Sequence, residues 1–541
     1  FANAESSLDD MSRARIAYGD PRLHDNGIEE FKHFILENFN HPCIFTWNYG
    51  NEVFYAQMSK NKALEAGFAK VVKAVKAFDP TRLVTQDGAS DFGGADTYNP
   101  HYPRFQPLTN ELHFLRHPIN HTGYTKEQAA AEAAKGRGNY PVRSGVRPWD
   151  GKKPMISGEF SWLHESMRPG ESYDFFGEAA LKPGASRYIS CHPSVQLLAA
   201  FGFEREQNCK GLRIGGIDAC VAHTKPNYPA RYFRPVIATF LKLNSRFISG
   251  EPFEREIIVL NDSGKKKALK VELVWKDGDK ELGRLQQDVE LASAGEKRVN
   301  FTIPAISTDK AKEIQAELSV SGSGVERFID KQKWTIWPKI AQNRPFKAKI
   351  GLFDPKNTLN GLFESFDVSV TKLENLDTLQ NIDFLVLGED LAPEVLKANG
   401  KNIQEFVKKG GTCLLTHQND FGDLLPFDLK KYKFYESVTC RDIDVYSGLS
   451  VIHAPSHPIF KGMLAEDLTS WGGDDMALVH SAGYKPSISG NTKVLSGLLP
   501  KYATLIESKH GKGRFMINSL ELTPVKVKIE PAAAQLLANI L

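Results

Sequence analysis

Cysteine is scarce in this sequence: six residues (Cys43, Cys191, Cys209, Cys220, Cys413 and Cys440) in 541, with no CxxC pair among them. That spacing argues against a zinc ribbon or a redox dithiol and leaves free, buried thiols as the expectation. An excess of charge of one sign is lacking too, since 68 basic and 65 acidic residues give a net +3. A near-neutral chain of this size carries no basic footprint for nucleic acid. No apolar run reaches 18 residues, so no helix is expected to span a membrane. Residues 1–20 hold no apolar segment of the signal-peptide kind. The first residue is Phe1 and not Met, from which we expect a preceding portion to have been removed or encoded elsewhere. A phosphate loop is missing as well, because Gly511-Lys512-Gly513 is too short and leads into a strand. Sequons at Asn120, Asn261 and Asn300 matter only in a eukaryotic secretory host.

What is present is an ordinary globular composition, 41% hydrophobic and 25% charged, long enough for several domains. Residues 1–27 read as polar and irregular, and Ile28–Phe39 as an amphipathic helix with Phe31, Phe34 and Ile35 in its stripe. Cys43–Trp47 reads as a strand, 61–78 as a helix stopped by Asp79-Pro80, and Arg82–Gln86 and Ala95–Pro100 as strands. After a long polar stretch (103–150), Lys153–Phe160 reads as a strand, Pro193–Phe203 as a helix and Gly211–Cys220 as a last strand. This alternation predicts an α/β multidomain protein that opens, over residues 1–240, with a partial (β/α)8 TIM barrel, strands four to eight. Period-two runs (Glu256–Leu260, Leu269–Trp275, Asp288–Leu291, Arg298–Ile303, Ala316–Ser321 and Phe328–Ile336) then predict an antiparallel immunoglobulin-like β-sandwich over 245–338. Buried-strand runs at Lys349–Phe353, Phe384–Leu387 and Thr412–Leu415, with helices at Asn402–Lys408 and Ala532–Leu541, predict a doubly wound α/β domain over 346–541.

Two of the short strands end in carboxylates, at Glu52 and Glu159. As strands four and seven of a barrel they project to opposite sides of its mouth, where two carboxyl groups can flank one scissile bond. A retaining glycosidase needs such a pair about 5–5.5 Å apart, one as nucleophile and one as acid/base. For either Glu alone, a surface salt bridge is the competing reading.

His41-Pro42-x-Ile44-x-x-Trp47-x-x-Gly50-Asn51-Glu52 resembles the acid/base signature of glycoside hydrolase family 2, which includes β-galactosidases, β-glucuronidases and β-mannosidases. Lys153–Phe160 is similar to that family's nucleophile strand, and Asp79-Pro80-Thr81-Arg82 and Asn99-Pro100-His101-Tyr102 to the segments between. The resemblance covers about 28–220. It implies Glu52 as general acid/base, Asn51 on the sugar 2-hydroxyl, Glu159 as nucleophile and Tyr102 hydrogen-bonded to it. The family's sugar-binding jelly roll, immunoglobulin-like domain and first three barrel strands have no counterpart here, and 211–220 lacks the aromatic usual near the eighth strand. The resemblance therefore implies the C-terminal portion of an enzyme, completed by an N-terminal portion or a separate chain. No cofactor is required, with Mg²⁺ left to that N-terminal portion.

Trp162, just past Glu159, and His101 are candidate sugar contacts, whereas Trp47 lies inside an apolar run and reads as core. Arg104, His113, Arg116 and His117 would suit an anionic sugar, with a solvated loop as the alternative. The last domain resembles glutamine-amidotransferase-like or flavodoxin-like folds that trimerise some β-galactosidases. Cys413 sits inside its strand run without the sharp Gly-flanked elbow of a nucleophile, so an interface role in a homo-oligomer is expected. The function expected is a retaining exo-β-glycosidase, first of β-galactosides. A β-glucuronidase or enzyme of an anionic or marine polysaccharide is the alternative, and outside enzymes a carbohydrate-binding scaffold. The expected partners are a carbohydrate and the completing chain, with neither nucleic acid nor membrane.

Overall fold

The computed structural model describes residues 20–51, 62–87, 94–99, 152–160, 209–214, 217–222, 230–242, 244–339, 348–364, 366, 368–433, 450–468, 471, 478, 482–486, 490–499 and 502–541. The chain divides into two compact units, one of residues 1–105, 113–163 and 205–232, the other of 106–112, 164–204 and 233–541.

In the first unit, helix α1 spans Pro21–Asn38. It starts earlier than Ile28 because Asp20 caps it, accepting the Arg22 N–H at 2.9 Å, and Pro21 fills the first turn where no N–H is needed. Strand β1 is Thr46–Asn51, helix α2 Lys62–Phe78 and strand β2 Leu83–Asp87. The strand expected at Cys43–Trp47 begins only at Thr46, since Pro42-Cys43 form a turn in which the Ile44 N–H reaches back to the His41 carbonyl. Ile28, Phe31 and Ile35 of α1, Val71, Val72 and Val75 of α2, and Trp47 and Val84 of the strands make one buried cluster. Each such side chain contributes roughly 1.5–3 kcal/mol.

Strand β3 (Ile156–Phe160) and strand β4 (Ala219–Ala222) form a second parallel pair. Residues 95–99 link the two pairs. The Asp96 N–H donates to the Val84 carbonyl, Tyr98 bridges Met155 in parallel, and the Ile156 N–H donates to the Tyr98 carbonyl. The strands thus follow one another in chain order, as in one half of a β/α barrel. The strand expected at Gly211–Cys220 is corrected: 209–214 are helical, with Cys209, Lys210 and Leu212 buried. β4 starts later, where Asp218 exchanges two hydrogen bonds with Met155. The helix expected at 193–203 and the stretch 103–150 lie outside the described residues.

The second unit holds β5 (Val236–Phe240), β6 (Arg246–Ile248), β7 (Phe253–Asn261), β8 (Lys267–Asp277), β9 (Lys280–Leu291), β10 (Gly295–Ile303), β11 (Lys312–Gly322) and β12 (Val325–Trp337). They form sheets β10-β7-β5 and β6-β12-β11-β8-β9, all antiparallel except β6 on β12. β5, placed by the sequence reading at the end of the barrel segment, instead hydrogen-bonds along β7. Its all-buried pattern carries no alternation to mark it as a sandwich strand. Arg255 lies fully buried among the rings of Phe240, Phe247 and Trp334, 5.4–5.8 Å from each, and donates to carbonyls of Lys242 and Asn244. Asn261 is consumed by three backbone carbonyls and has no exposed surface for a glycan.

Beyond it come β13 (Ile350–Phe353), β14 (Val370–Lys372), β15 (Phe384–Leu387), α3 (Pro393–Lys408), β16 (Thr412–Leu415), β17 (Leu429–Lys433), β18 (Val451–Ile452), β19 (Ala482–Pro486), β20 (Thr492–Leu499), β21 (Tyr502–His510), β22 (Gly513–Asn518), α4 (Pro524–Ile529) and α5 (Pro531–Ile540). One mixed sheet runs β14-β13-β15-β16-β22-β21-β19-β17, with β20 on β21 and β18 on β20. From β14 to β22 it is parallel, and beyond β22 it is antiparallel, a half that the apolar runs did not announce. Alternate residues face two cores. Ile350, Leu352, Val386 and Leu414 pack with Leu536 and Leu537 of α5, and Leu385, Leu387 and Leu415 with Leu396, Ile403 and Val407 of α3. α3 ends at Gly410, whose φ of +125° suits only glycine.

Candidate active site

Of the residues singled out, Glu52, His101, Tyr102 and Trp162 lie outside the described residues, and of Asn51 and Glu159 only the backbone is described. Asn51 ends β1, its backbone paired with Asp87, and Glu159 is the next-to-last residue of β3.

The backbone has the same irregularity at both places. In β1 the pairing runs Asn48 to Thr85 and then Asn51 to Asp87, so β1 carries one residue more than β2. In β3 it runs Ser157 to Cys220 and then Phe160 to Ala222, again one residue more than the neighbour. Each extra residue falls in a stretch with a glycine, Gly50 at φ +82° and Gly158. A bulge of this kind bends its strand and re-aims the side chains that follow.

Alternation sorts the rest of the sheet. Trp47 and Val84 face the helices, and Tyr49 follows, its hydroxyl lying where a Cβ on Gly27 of α1 would sit. The opposite face is polar yet buried: Asn48 and Thr85 with Thr97 and Asn99. The Thr97 hydroxyl is 2.7 Å from that of Thr85, the Asn99 amide donates to the same oxygen at 3.3 Å, and the Asn99 Oδ1 accepts the Gly158 N–H at 2.8 Å. Sequence reasoning placed Asn99 in a family-like segment without a role. The signal was there in Asn99-Pro100, because proline has no N–H with which to continue a ladder.

Trp47 proves to be core, 2% exposed, with its indole N–H on Asp79 Oδ2 at 2.7 Å. Burial by itself would raise the Asp79 carboxyl, but hydrogen bonds from Thr81, Trp47 and Arg82 outweigh it and hold the pKa at about 2. Arg82 also donates to the carbonyls of Ile44 and Phe39 and lies over the Trp47 ring. The Asp79-Pro80-Thr81-Arg82 segment therefore braces the approach to β1.

Among the described residues no group of three His, Cys, Asp or Glu could hold a metal ion. In the second unit, an open hollow of about 430 Å³ on the outer face of the five-stranded sheet is lined by Lys270, Glu272, Arg284, Glu317 and Arg327 among others. Its charges are paired, Arg284 with Glu272 at 2.8 Å and Arg327 with Glu317 at 3.5 Å, and no aromatic ring lines it for a sugar to stack on. Cys413 is buried inside β16, and burial pushes its thiol far up, the opposite of an activated nucleophile.

Comparison with known proteins places residues 3–170 within the model described as "Glycosyl hydrolases family 2, TIM barrel domain". A curated relative, the β-galactosidase of Kluyveromyces lactis, is 28% identical over 141 residues, 26% of this chain and 13% of its own length. The chain thus spans a small fraction of that relative. Among solved structures, an FMN-binding β-glucuronidase from Facaelibacterium prausnitzii L2-6 overlays at 14% identity and TM-score 0.25, covering 58% of this chain and 44% of its own. A Paenibacillus sp. cycloisomaltooligosaccharide glucanotransferase overlays at 11% and TM-score 0.18, covering 33% and 27%. Neither overlay indicates a shared overall arrangement. Residues 3–170 are thus similar to the TIM-barrel domain of glycoside hydrolase family 2, a likeness that covers less than half of the chain.

Proposed function

We propose that the chain belongs to a retaining exo-β-glycosidase that removes terminal β-glycosyl residues, β-galactosyl first. Glu159 attacks the anomeric carbon and forms the glycosyl-enzyme. Glu52 protonates the leaving oxygen and then deprotonates the water that releases the sugar. Asn51 holds the 2-hydroxyl, Tyr102 steadies Glu159, and His101 and Trp162 contact the sugar. The observation that carries this reading is the pair of matching bulges, each set where one of the two carboxylate-bearing segments leaves the parallel sheet. The family match spans both segments, and the curated relative supports β-galactosides as the first substrate to test.

The reading includes a partner. Among the described residues β1 pairs only with β2, and Phe45, which leads into β1, is 47% exposed. An open edge beside apolar surface invites pairing. The preceding strands of the barrel, from an N-terminal portion of the same enzyme or a separate chain, would cover it. The C-terminal sheet, with its order β14-β13-β15-β16-β22, is read as a flavodoxin-like or amidotransferase-like domain used in homo-oligomer assembly.

A second reading, a β-glucuronidase or enzyme of an anionic polysaccharide, is favoured by Arg104, His113, Arg116 and His117 between the two motifs. A panel of aryl β-glycosides at matched concentration separates the two. The first reading expects the highest kcat/KM on the galactoside, the second on the glucuronide. Sugar binding without turnover on any member would leave only the scaffold.

A further inference from the structure

We propose that Asn99 is a positioning residue for Glu159, acting through the Gly158 amide; this rests on the reading of Glu159 as nucleophile. In the parallel ladder between 95–99 and β3, the Ile156 N–H donates to the Tyr98 carbonyl at 2.9 Å. Two residues on, the Gly158 N–H would meet the carbonyl of residue 100 if the ladder continued. Residue 100 is a proline, which has no N–H for the next rung of that ladder. The Asn99 side chain supplies an acceptor, Oδ1 at 2.8 Å from the Gly158 nitrogen.

The amide is itself oriented. Its Nδ2 donates to Thr85 Oγ1 at 3.3 Å, and Thr85 in turn is 2.7 Å from the Thr97 hydroxyl. Because the Gly158 N–H needs an acceptor, the oxygen of the amide faces β3 and the nitrogen faces β2. Asn99, Thr85 and Thr97 are all at most 3% exposed, so water competes little for these bonds. On the other side of β3 the pairing with β4 skips Gly158 and Glu159. The Asn99 bond thus holds the backbone immediately before Glu159, at the place where the pairing with β4 shifts register. A nucleophile whose backbone is free to shift loses alignment with the anomeric carbon, and a misplacement of about 1 Å costs on the order of 100-fold.

The test compares Asn99→Ala with Asn99→Asp, which keeps the acceptor, in the active enzyme that contains this chain. On an activated aryl β-glycoside, Asn99→Ala should lower kcat/KM by about 10- to 100-fold with KM little changed. Asn99→Asp should stay within about threefold of wild type. Hydrogen exchange at the Gly158 amide should speed up about tenfold or more in Asn99→Ala and stay slow in Asn99→Asp. In a Glu159→Ala background, azide forms the bond to the anomeric carbon as the bond to the aryl oxide breaks, and Asn99→Ala should then cost nothing further. If the same loss persists there, or if Asn99→Ala matches wild type while Glu159→Ala is inactive, the positioning role is overturned. Full activity of Glu159→Ala without azide would overturn the nucleophile assignment, and the positioning role with it. Should Asn99→Ala fail to fold, Thr85→Val replaces it. It is expected to lose kcat/KM several-fold at unchanged KM, and wild-type kinetics would overturn the proposal.

Discussion

The indole N–H of Trp47 donates to the Asp79 carboxylate at 2.7 Å, joining the start of β1 to the turn that precedes β2. Because hydrogen bonds hold Asp79 at about 2 in the folded chain, below its ordinary 3.8, the carboxylate stabilises the fold above the unfolded value. That contribution, about 2 kcal/mol, is lost as pH falls from about 4 through 2. Asp79→Asn should therefore lower stability at pH 7 by about that amount and flatten the acid side of the stability profile. Urea unfolding of both proteins between pH 7 and 2 measures it. Parallel profiles would show that Asp79 contributes no charge-dependent stability.

Gly50 should tolerate no side chain. At φ +82° a Cβ strains the backbone by about 1–2 kcal/mol, and relief would remove the bulge that precedes Glu52. Gly50→Ala is expected to lower kcat about tenfold or more while thermal melting shows only a small loss of stability. An unchanged kcat would mean that the bulge does not set the carboxylate.

Buried charge holds the second unit together. Arg246 of β6 bonds Asp467 at 3.1 Å and Glu530 at 3.4 Å, and Glu530 also caps α5. Arg246→Met leaves two buried carboxylates beside each other and should cost about 3–5 kcal/mol. Burial, then the Glu530 charge, raise the Asp467 carboxyl despite Arg246. A group raised in the fold is ionised at a cost, paid as pH rises through the folded value. Asp467→Asn, which keeps an acceptor, is therefore expected to be near neutral or stabilising at pH 7. Thermal melts at pH 7 decide, and an Arg246→Met protein as stable as wild type would contradict the arrangement.

Thiol labelling separates the cysteines. Cys43 is exposed, whereas Cys209 and Cys413 are buried, which corrects the expectation of uniformly buried thiols for Cys43. Iodoacetamide on the native protein should mark Cys43 and leave Cys209 and Cys413 unmodified until unfolding, as read by peptide mass spectrometry. Native labelling of Cys413 would reopen a catalytic role for it.

The sequence made the order of elements legible wherever burial follows a simple period. The sandwich strands alternate, and α2 shows the valines at 71, 72 and 75 that face the sheet. It misled where local residues compete. The run 211–220 is apolar enough for a strand, yet Leu212 and Cys209 are buried from a helical turn. Val236–Phe240 is buried throughout, so nothing in its pattern tells a barrel strand from a sandwich strand. At the site, the family-like motifs marked Glu52 and Glu159, but the bulges and the Asn99 bond depend on register between strands distant in sequence. No local pattern encodes that register, although Gly50, Gly158 and Asn99-Pro100 were visible as the residues a lapse in the ladder would need.

Glu159 is the group proposed to bond to the sugar. The direct measurement is to trap the glycosyl-enzyme with an activated fluoroglycoside and map the adduct by peptide mass spectrometry. One added sugar per active site is expected, on Glu159, with loss of trapping in Glu159→Gln. An adduct on another residue, or turnover that inverts the anomeric centre with no adduct formed, would contradict it.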